Sequence, residues 1–511
     1  MKNYFKQLLL IVVLFLCSTT TNAHSFEVDG IFYEHLPNNE VSVTFRTLDN
    51  IFEMPDFPSY EGDIVIPKTV TYNEVTYTVK NIGANAFYDC NKLNSITIPP
   101  TIEIIGNNAF YGCSKLKSIT LPASVRIIGE NAFDECNDLE AVHVDSIEQW
   151  FNFDFNGQNP LVYAHNLYVK GNLVTEVTIP KMGYIKNNIL RGWSGRKIII
   201  QEGTHSIGYS AFASCRNLEE VIIPEGVKCL YEGCFAYCEK LKNIKLPNSL
   251  VRIMTDAFRL CNSISDITIT ADTVSWVAFG CKIKNLTISN KVKFIASDAF
   301  YSHDSLNIVV EEGNKVYDSR DNCNAIIRTK DNSLIFASQN TVIPSSVTTI
   351  AYYAFKYSKG LTKVKLTEGI REIQPQAFVN CQELKEIVIP KTLRYIDYYA
   401  FDNCPNITSM TSYIPADSIN KVEHLINIPV NFNLCTLYVP KGDKDTYEAY
   451  YAQYGVNFKE IIEMDNTGIE EVEYENCFNK NEYIYNLNGQ IVTDVPKGKI
   501  YIQNGIKRLR K

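Results

Sequence analysis

Apolar and polar positions follow one pattern along much of the chain. The order I-G-x-x-A-F-x-x-C-x-x-L-x-x-I-x-I-P recurs about every 23 residues, and it stands almost unchanged in IGANAFYDCNKLNSITIP and IGNNAFYGCSKLKSITLP. A repeat this short cannot bury its apolar positions alone, so the pattern predicts coils that stack as a solenoid. Its phenylalanine, which we call the anchor, falls at Phe87, Phe110, Phe133, Phe212, Phe235, Phe258, Phe279, Phe300, Phe355, Phe378 and Phe401.

Each repeat predicts three local structures. The L-x-x-I-x-I-P segment alternates buried and exposed positions, which is typical of a short β-strand, and its proline ends the strand because it lacks a ladder N–H. The next segment predicts a second extended stretch and a bend at a glycine such as Gly106. Spacings of three in A-F-x-x-C-x-x-L favour a short helical or 3₁₀ turn. The fold class predicted is a mainly β repeat solenoid, curved, with about fourteen coils that each rise about 4.8 Å.

Two intervals of the repeat region are irregular. Anchors are missing between Phe133 and Phe212 and again between Phe300 and Phe355. Leu190 is expected to replace one anchor, and both intervals keep the I-P ending of the regular repeat. We therefore predict longer coils near residues 145–190 and 305–345 rather than inserted domains.

The solenoid predicted for residues 76–462 needs a cover at each end, because a terminal coil exposes apolar core. Two alternating stretches within residues 24–75, FEVDGIFYEHL and EVSVTFRTL, predict a β-hairpin-like N-terminal cap. At the other end, a strand in TLYVP and a helix over residues 444–454 predict a C-terminal cap. Residues 463–511 contain the alternating segments YIYNLNGQIV and GKIYIQNG, which predict a separate β tail.

The longest apolar run, LLLIVVLFLC, lies at residues 8–17 behind two lysines. It is too short to span a bilayer, whereas a basic start and a small-residue exit are typical of a signal peptide. We predict that residues 1–23 are a signal peptide cleaved near Ala23 and that the chain is secreted or held at the cell surface, with no transmembrane segment. A lipid anchor on Cys17 is the alternative, although Leu16 is bulkier than the residue that such signals prefer.

Fifteen cysteines in an exported chain would ordinarily suggest disulfides. Eight of them lie three residues after an anchor, which predicts a stacked internal column of small apolar side chains. Cys229, Cys234 and Cys238 are spaced like metal ligands, but the repeat register assigns them to the core. We therefore predict mostly reduced cysteines and no metal site. The eight positions of the column are Cys90, Cys113, Cys136, Cys215, Cys238, Cys261, Cys381 and Cys404.

Charge and motifs give no indication of catalysis. The formal net charge is -8, which does not favour nucleic acid or anionic lipid as a partner. Seven histidines are scattered, and the sequence contains neither a nucleophile elbow nor a phosphate-binding glycine loop. We expect no enzyme activity, no catalytic residues and no cofactor.

The predicted strands also have positions between the buried ones that must face outward. In stacked coils these positions form a continuous surface, and Ile199 and Ile222 are its expected apolar centre. A solvated β face rich in threonine is the alternative interpretation. The predicted binding surface consists of Thr178, Lys197, Ile199, Glu220, Ile222, Lys245, Thr268 and Thr287.

The quoted repeats resemble the BspA-type leucine-rich repeats of bacterial surface proteins. The resemblance covers residues 75–462, where anchor, cysteine, strand and I-P positions agree in coil after coil. It implies a leucine-rich-repeat solenoid that serves adhesion or protein recognition at the cell surface, with no catalytic residues to transfer. The tail, in which YNLNGQ is followed by PKGKIYIQNGIKRLRK, resembles a C-terminal sorting region of the type IX secretion kind.

Three functions follow from these observations. The preferred one is an exported recognition or adhesion protein that binds an extracellular protein or glycan through the outward strand positions. The second is a structural spacer or display scaffold that binds nothing there. A glycan-degrading enzyme ranks third, because the repeat offers no deep cleft in which two carboxylates would be desolvated. The repeat leaves the identity of the ligand and the oligomeric state open.

Overall fold

The computed structural model describes residues 24–45, 60–300, 306–425 and 432–464, and four short strands between residues 484 and 509. The chain divides into two compact units, Met1–Met464 and Asp465–Lys511. The first unit contains a β-solenoid of about 16 turns, which confirms the predicted fold class. The predicted signal peptide lies outside the described residues. Within the described part of the chain, no helix has the length and apolar character needed to cross a membrane.

The L-x-x-I-x-I-P segments form parallel strands that we call the front strands. Their odd and even residues alternate between the core and the outside, as the sequence pattern predicts. Hydrogen bonding between successive front strands is interrupted after β7 (Leu93–Thr97), β13 (Asn166–Val169), β21 (Asn243–Ile244) and β27 (Asn307–Val310). The front strands are β4 (Gly62–Val65), β7 (Leu93–Thr97), β9 (Ser118–Thr120), β11 (Ala141–Val144), β13 (Asn166–Val169), β15 (Glu176–Ile179), β17 (Lys197–Ile200), β19 (Glu220–Ile222), β21 (Asn243–Ile244), β23 (Asp266–Ile269), β25 (Asn285–Ile288), β27 (Asn307–Val310), β32 (Lys363–Lys365), β34 (Glu386–Ile389), β36 (Ser409–Ser412), β37 (Thr436–Val439) and β38 (Glu460–Glu463).

The second extended stretch of each repeat forms another parallel ladder, the back strands. Most of them are two residues long, and at the bend that follows the N–H of Gly106 still donates to the carbonyl of Ile82 at 2.8 Å. The back strands are β6 (Val75–Ile82), β8 (Ile104–Ile105), β10 (Ile127–Ile128), β12 (Asp154–Phe155), β16 (Tyr184–Ile185), β18 (Ser206–Ile207), β20 (Cys229–Leu230), β22 (Arg252–Ile253), β24 (Thr273–Val274), β26 (Phe294–Ile295), β31 (Thr349–Ile350), β33 (Glu372–Ile373) and β35 (Tyr395–Ile396).

The A-F-x-x-C segment is a chain of tight turns rather than a continuous helix. Within one coil, the N–H groups of Tyr88 and Cys90 bond back three residues, at 3.0 and 3.3 Å, as in a 3₁₀ turn. The N–H groups of Phe87 and Asp89 instead donate to carbonyls of the next coil, at 2.7 and 2.6 Å. Left-handed residues, such as Asn85 with φ 58° and Asp89 with φ 54°, make this alternation possible. The anchor turns therefore form a third ladder along the solenoid.

The anchors build an aromatic column at the centre of the core. The rings of Phe87, Phe110 and Phe133 stack with centroid separations of 5.2 Å, and the column resumes from Phe212 to Phe300 and from Phe355 to Phe401. Tyr60 covers its first ring at 4.7 Å and donates a hydrogen bond of 2.9 Å to the carbonyl of Thr44. A repeated aromatic contact of this kind holds each coil to the next.

The predicted cysteine column is confirmed as part of the core. All eight cysteines are buried and free, and thiols of successive coils donate to the anchor carbonyl one coil earlier, as Cys113 does to Phe87 at 3.1 Å and Cys261 does to Phe235 at 3.0 Å. Burial raises the pKa of Cys90 and of Cys136 to about 12. These thiols are therefore protonated at neutral pH and poor nucleophiles. Cys229 and Cys234 are buried as well.

The first irregular interval contains two coils rather than one lengthened coil. Leu190 takes an anchor position, because its N–H donates to the carbonyl of Ala211 at 2.8 Å as anchors do. A second apolar turn, the helix α2 (Leu161–Ala164), lies one coil earlier. The interval also holds the helix α1 (Ile147–Asn152), begun by Ser146, and the short strand β14 (Asn172–Leu173), which pairs antiparallel with β13. The sequence pattern missed the coil around Leu161 because α2 lacks the A-F-x-x-C signature.

The second irregular interval is an antiparallel unit built into the solenoid. It comprises β28 (Tyr317–Asp318), a 3₁₀ helix at Arg320–Asn322, β29 (Ala325–Arg328) and β30 (Ser333–Ala337). β30 pairs with the back strand β31 in parallel, so the hairpin passes directly into the regular coils. Phe336 lies 5.3 Å from Phe300 and continues the aromatic column.

Both ends of the solenoid are covered. At the N-terminus β1 (Phe26–Val28), β2 (Ile31–Leu36) and β3 (Glu40–Thr44) form an antiparallel meander, β3 pairs with β6, and β5 (Thr69–Tyr72) pairs antiparallel with β6. At the other end, 3₁₀ helices at Ala416–Lys421 and Phe432–Leu434 precede the predicted helix, which is confirmed as α3 (Lys444–Ala452). The second compact unit contains β39 (Ile484–Tyr485), β40 (Ile491–Val492), β41 (Ile500–Gln503) and β42 (Ile506–Leu509).

Candidate functional site

Six of the eight predicted binding residues lie on or beside the sheet β15-β17-β19-β21. Thr178, Ile199 and Ile222 are in register across its first three strands and form one outward row. Ile222 is 43% exposed, and Lys245 is exposed just beyond the end of β21. The residues that alternate with the outward ones along each strand, such as Val221, are buried in the core. We call the outward residues of this sheet the front surface.

A second outward row of the front surface carries opposite charges. Glu176, Lys197 and Glu220 are in register, and Lys197 Nζ lies 2.7 Å from Glu220 Oε2. Arg196 pairs with Glu176 at 2.6 Å. These pairs are partly to largely solvent-exposed, so each contributes little to stability. They neutralise one another across the strands and leave the threonine and isoleucine row as the uncharged part of the surface.

The other two predicted residues belong to a different sheet. Thr268 and Thr287 are in register with each other and with Val309 on β23, β25 and β27. The ladder is interrupted between β21 and β23, so the structure does not join these threonines to the Ile222 row by hydrogen-bonded strands. The outward positions of the front strands thus form a series of separate sheet faces, and the front surface is one of them.

The sequence pattern missed an aromatic pair on the preceding sheet. His143 and Tyr168 are in register on β11 and β13, and their rings stack with centroids 4.8 Å apart. Leu173 pairs with Tyr168 from β14 and is exposed. Tyr168 lies in the irregular interval, where the missing anchor hid the strand. The alternation in NLYV is the signal that could have found it.

A cavity of about 520 Å³ lies away from the front surface, beside the anchor turns. Its acidic residues are Asp256 and Asp298, and its basic residues include Arg259 and Lys356. Asp256 pairs with Arg259 at 3.5 Å, and burial raises the pKa of Asp298. The cavity is partly open to solvent, and Asp298 Oδ1 is buried there with no hydrogen-bond partner among the described residues.

The residues of the front surface can make contacts but have no groups arranged for catalysis. Threonine and isoleucine side chains are β-branched and therefore have few χ1 rotamers. Together they present a surface of mixed polarity. Across the described ranges, histidine, cysteine, aspartate and glutamate side chains nowhere form a group of three that could hold a metal ion. The arrangement suits adsorption of an extended partner.

Comparison with known proteins agrees with this architecture. The sequence profile described as "BspA type Leucine rich repeat region" matches in 6 copies, over residues 68–163, 183–307 and 335–436. No match is found among curated proteins.

Several solved structures are similar to the chain. A leucine-rich repeat protein from Bacteroides ovatus ATCC 8483 is 24% identical with a TM-score of 0.52, over 80% of this chain and 99% of the other. A leucine rich cell surface protein from Faecalibacterium prausnitzii A2-165 is 21% identical with a TM-score of 0.32, over 86% and 95%. The pneumococcal vaccine antigen PcpA is 15% identical with a TM-score of 0.35, over 87% and 100%. The first of these supports the fold.

Proposed function

The chain belongs to the BspA-type leucine-rich repeat family, and on that basis we propose that it is an exported, surface-associated recognition protein that binds an extracellular protein or polymer through its front surface. Proteins with this repeat are typically secreted or found at the cell surface, and leucine-rich repeat proteins are generally non-enzymatic. The observation that carries the proposal is the row formed by Ile222, which is exposed, and Ile199, which is partly exposed, beside charges that already pair with one another.

Binding to such a row costs little conformational entropy. Isoleucine and threonine have few rotamers, and paired strands fix their backbones, so little entropy is lost when a partner covers them. A partner that covers Ile222 would remove apolar area from water without breaking the pair between Lys197 and Glu220. Repetition along the coils then adds many weak contacts.

Replacing Ile222 by aspartate is expected to weaken binding about tenfold or more, because it places an unpaired charge in the centre of the contact. The test uses the chain without residues 1–23 and a panel of immobilised extracellular-matrix proteins and polysaccharides, with affinities measured by biolayer interferometry. Phe294→Asp is the matched control, since Phe294 is 52% exposed on the back strand β26.

Two results would count against the front surface as a binding site. One is that the unchanged chain binds no member of the panel, which would favour the spacer or scaffold role. The other is that Ile222→Asp and Phe294→Asp reduce binding equally, which would show that the effect is not specific to the front strands.

We also propose that residues 463–511 act as a sorting region of the type IX secretion kind. The support is the resemblance of the tail and its separation from the solenoid as the unit Asp465–Lys511. Deleting this unit in the producing cell is expected to leave the solenoid folded but to abolish surface labelling, because the address is lost. Circular dichroism of the purified deletion variant is the control for folding, and undiminished surface labelling would contradict the proposal.

A further inference from the structure

The cavity beside the anchor turns lies where one coil is short. In the coil of Phe279 the cysteine follows the anchor by two residues, at Cys281, whereas the column cysteines follow it by three. The residue after this anchor is Gly280, whose carbonyl accepts from the N–H of Leu260 at 2.9 Å, as in the other anchor turns. Tyr111 has the same position in an earlier coil. Glycine lacks that large side chain, so the surface is recessed here.

Three successive coils line the cavity. Asp256 comes from the first, Lys282 from the second and Asp298 from the third. Coils rise about 4.8 Å, so the cavity extends about 10 Å along the solenoid from the first coil to the third. Its volume of about 520 Å³ is within the range of pockets that hold small ligands.

Asp298 has a buried acceptor that the fold does not use. Within the described ranges, no donor forms a hydrogen bond to its Oδ1. Burial raises the pKa of this carboxyl group, and the positive charge of Lys356 acts in the opposite direction. Buried polar atoms in folded proteins nearly always have a partner, so we expect a ligand to supply a donor at this atom. A cationic N–H group is the strongest donor to a carboxylate.

The cavity is also lined by three basic side chains. Arg259 pairs with Asp256 at 3.5 Å, and Lys356 Nζ lies 3.9 Å from the ring centroid of Tyr353. Lys282 is exposed and forms no ion pair with another described residue. The basic side chains would repel a ligand with positive charge only, and the aspartates would repel one with negative charge only. The cavity therefore matches a ligand that carries one charge of each sign.

Apolar side chains complete the lining. Leu260, Val277 and Phe300 contribute to it. Pockets for small ligands combine such apolar walls with a few polar groups that fix the orientation of the ligand. The apolar lining matches an aliphatic side chain on the charged ligand.

We propose that this cavity binds a short peptide with free ends and an aliphatic side chain. Its ammonium group donates to Asp298 Oδ1, its carboxylate pairs with Lys282, and its aliphatic side chain packs on Leu260 and Val277. An extended peptide spans about 3.3–3.6 Å per residue, so two or three residues fill a cavity about 10 Å long. This site lies away from the front surface and is independent of it.

Two dipeptides, alanyl-leucine and leucyl-alanine, serve as probes. Their binding to the chain without residues 1–23 is measured by saturation-transfer difference NMR at millimolar concentration. We expect at least one of them to bind. Acetylation of its amino end and amidation of its carboxyl end should each weaken binding about tenfold or more, because each removes one of the two charges.

Three variants assign the two ends of the peptide. Asp298→Asn keeps the size of the side chain and removes its charge, so it should weaken binding of the free dipeptide about tenfold and leave that of the acetylated one unchanged. Lys282→Met should weaken binding of the free dipeptide and leave that of the amidated one unchanged. Gly280→Tyr fills the recess with the side chain of Tyr111 and should abolish binding. The midpoint of thermal unfolding of each variant checks that it folds.

Two further variants are controls. Asp272→Asn removes the same charge from the preceding coil, outside the cavity, where Asp272 pairs with Lys293. It should leave dipeptide binding unchanged, as should Ile222→Asp on the front surface. The proposal is overturned if neither dipeptide binds, or if both capped forms bind as tightly as the free dipeptide. It is also overturned if Asp298→Asn or Gly280→Tyr binds like the unchanged chain, or if Asp272→Asn weakens binding as much as Asp298→Asn does.

Discussion

Replacing Phe235 by alanine is expected to lower the free energy of unfolding by about 3–5 kcal/mol, the usual cost of truncating a fully buried phenylalanine. Phe235 is completely buried, and its ring lies 5.3 Å from Phe212 and 5.4 Å from Phe258. The substitution removes contacts on both sides of one coil, so it weakens two coil interfaces at once. Urea unfolding followed by circular dichroism measures the change.

Phe294→Ala is the matched control, because Phe294 is exposed and contributes no ring to the column. Its effect should stay within about 0.5 kcal/mol. If Phe235→Ala costs no more than Phe294→Ala, the aromatic column does not hold the coils together. A second, earlier unfolding step in the Phe235→Ala variant would be consistent with the column, since repeat proteins can lose cooperativity at a weakened interface.

Replacing Trp150 by alanine is expected to cost a similar amount, about 3–5 kcal/mol. Trp150 is completely buried on α1, and its Nε1 donates a hydrogen bond of 2.8 Å to the carbonyl of Ile189. Removing the indole leaves a cavity and also leaves that carbonyl without its side-chain partner. The hydrogen bond connects α1 to the coil of Leu190. The variant therefore tests whether α1 is an integral part of the solenoid.

Trp276→Ala is the control for Trp150, because Trp276 is 52% exposed. Urea unfolding followed by circular dichroism gives the midpoints of the two variants. A midpoint for Trp150→Ala that matches the control would show that α1 is a dispensable insertion. A large decrease confined to Trp150→Ala is the expected result.

Register explains why the core was predictable. When the repeats are aligned on their anchors, every cysteine three residues after an anchor takes the same position in the core. Cys113 and Cys261 can therefore be assigned to one column from the sequence alone. The structure adds their role, since each thiol donates to the anchor carbonyl of the previous coil. The outward positions of the front strands followed from the period of two in the same way, as Thr178 and Ile222 show.

The irregular coils could not be derived from the repeat. The coil around Leu161 uses a helix where others use an A-F-x-x-C turn, and the coil around Phe336 uses an antiparallel hairpin. In both cases apolar side chains fill the core by another local structure, so the sequence lacks the signature while the packing continues. The first of these irregular coils also hid Tyr168, which lies on β13.

The stacked β architecture, the depth of anchors and cysteines, and the outward rows can all be derived from the sequence alone, because each depends only on a local period repeated many times. Three-dimensional contacts are needed to know which outward residues become neighbours, where the ladders are interrupted, and that Tyr353 and Tyr399 have a left-handed backbone. These features depend on how one coil meets the next. Contacts between coils join residues far apart in the chain, and a local pattern does not encode them.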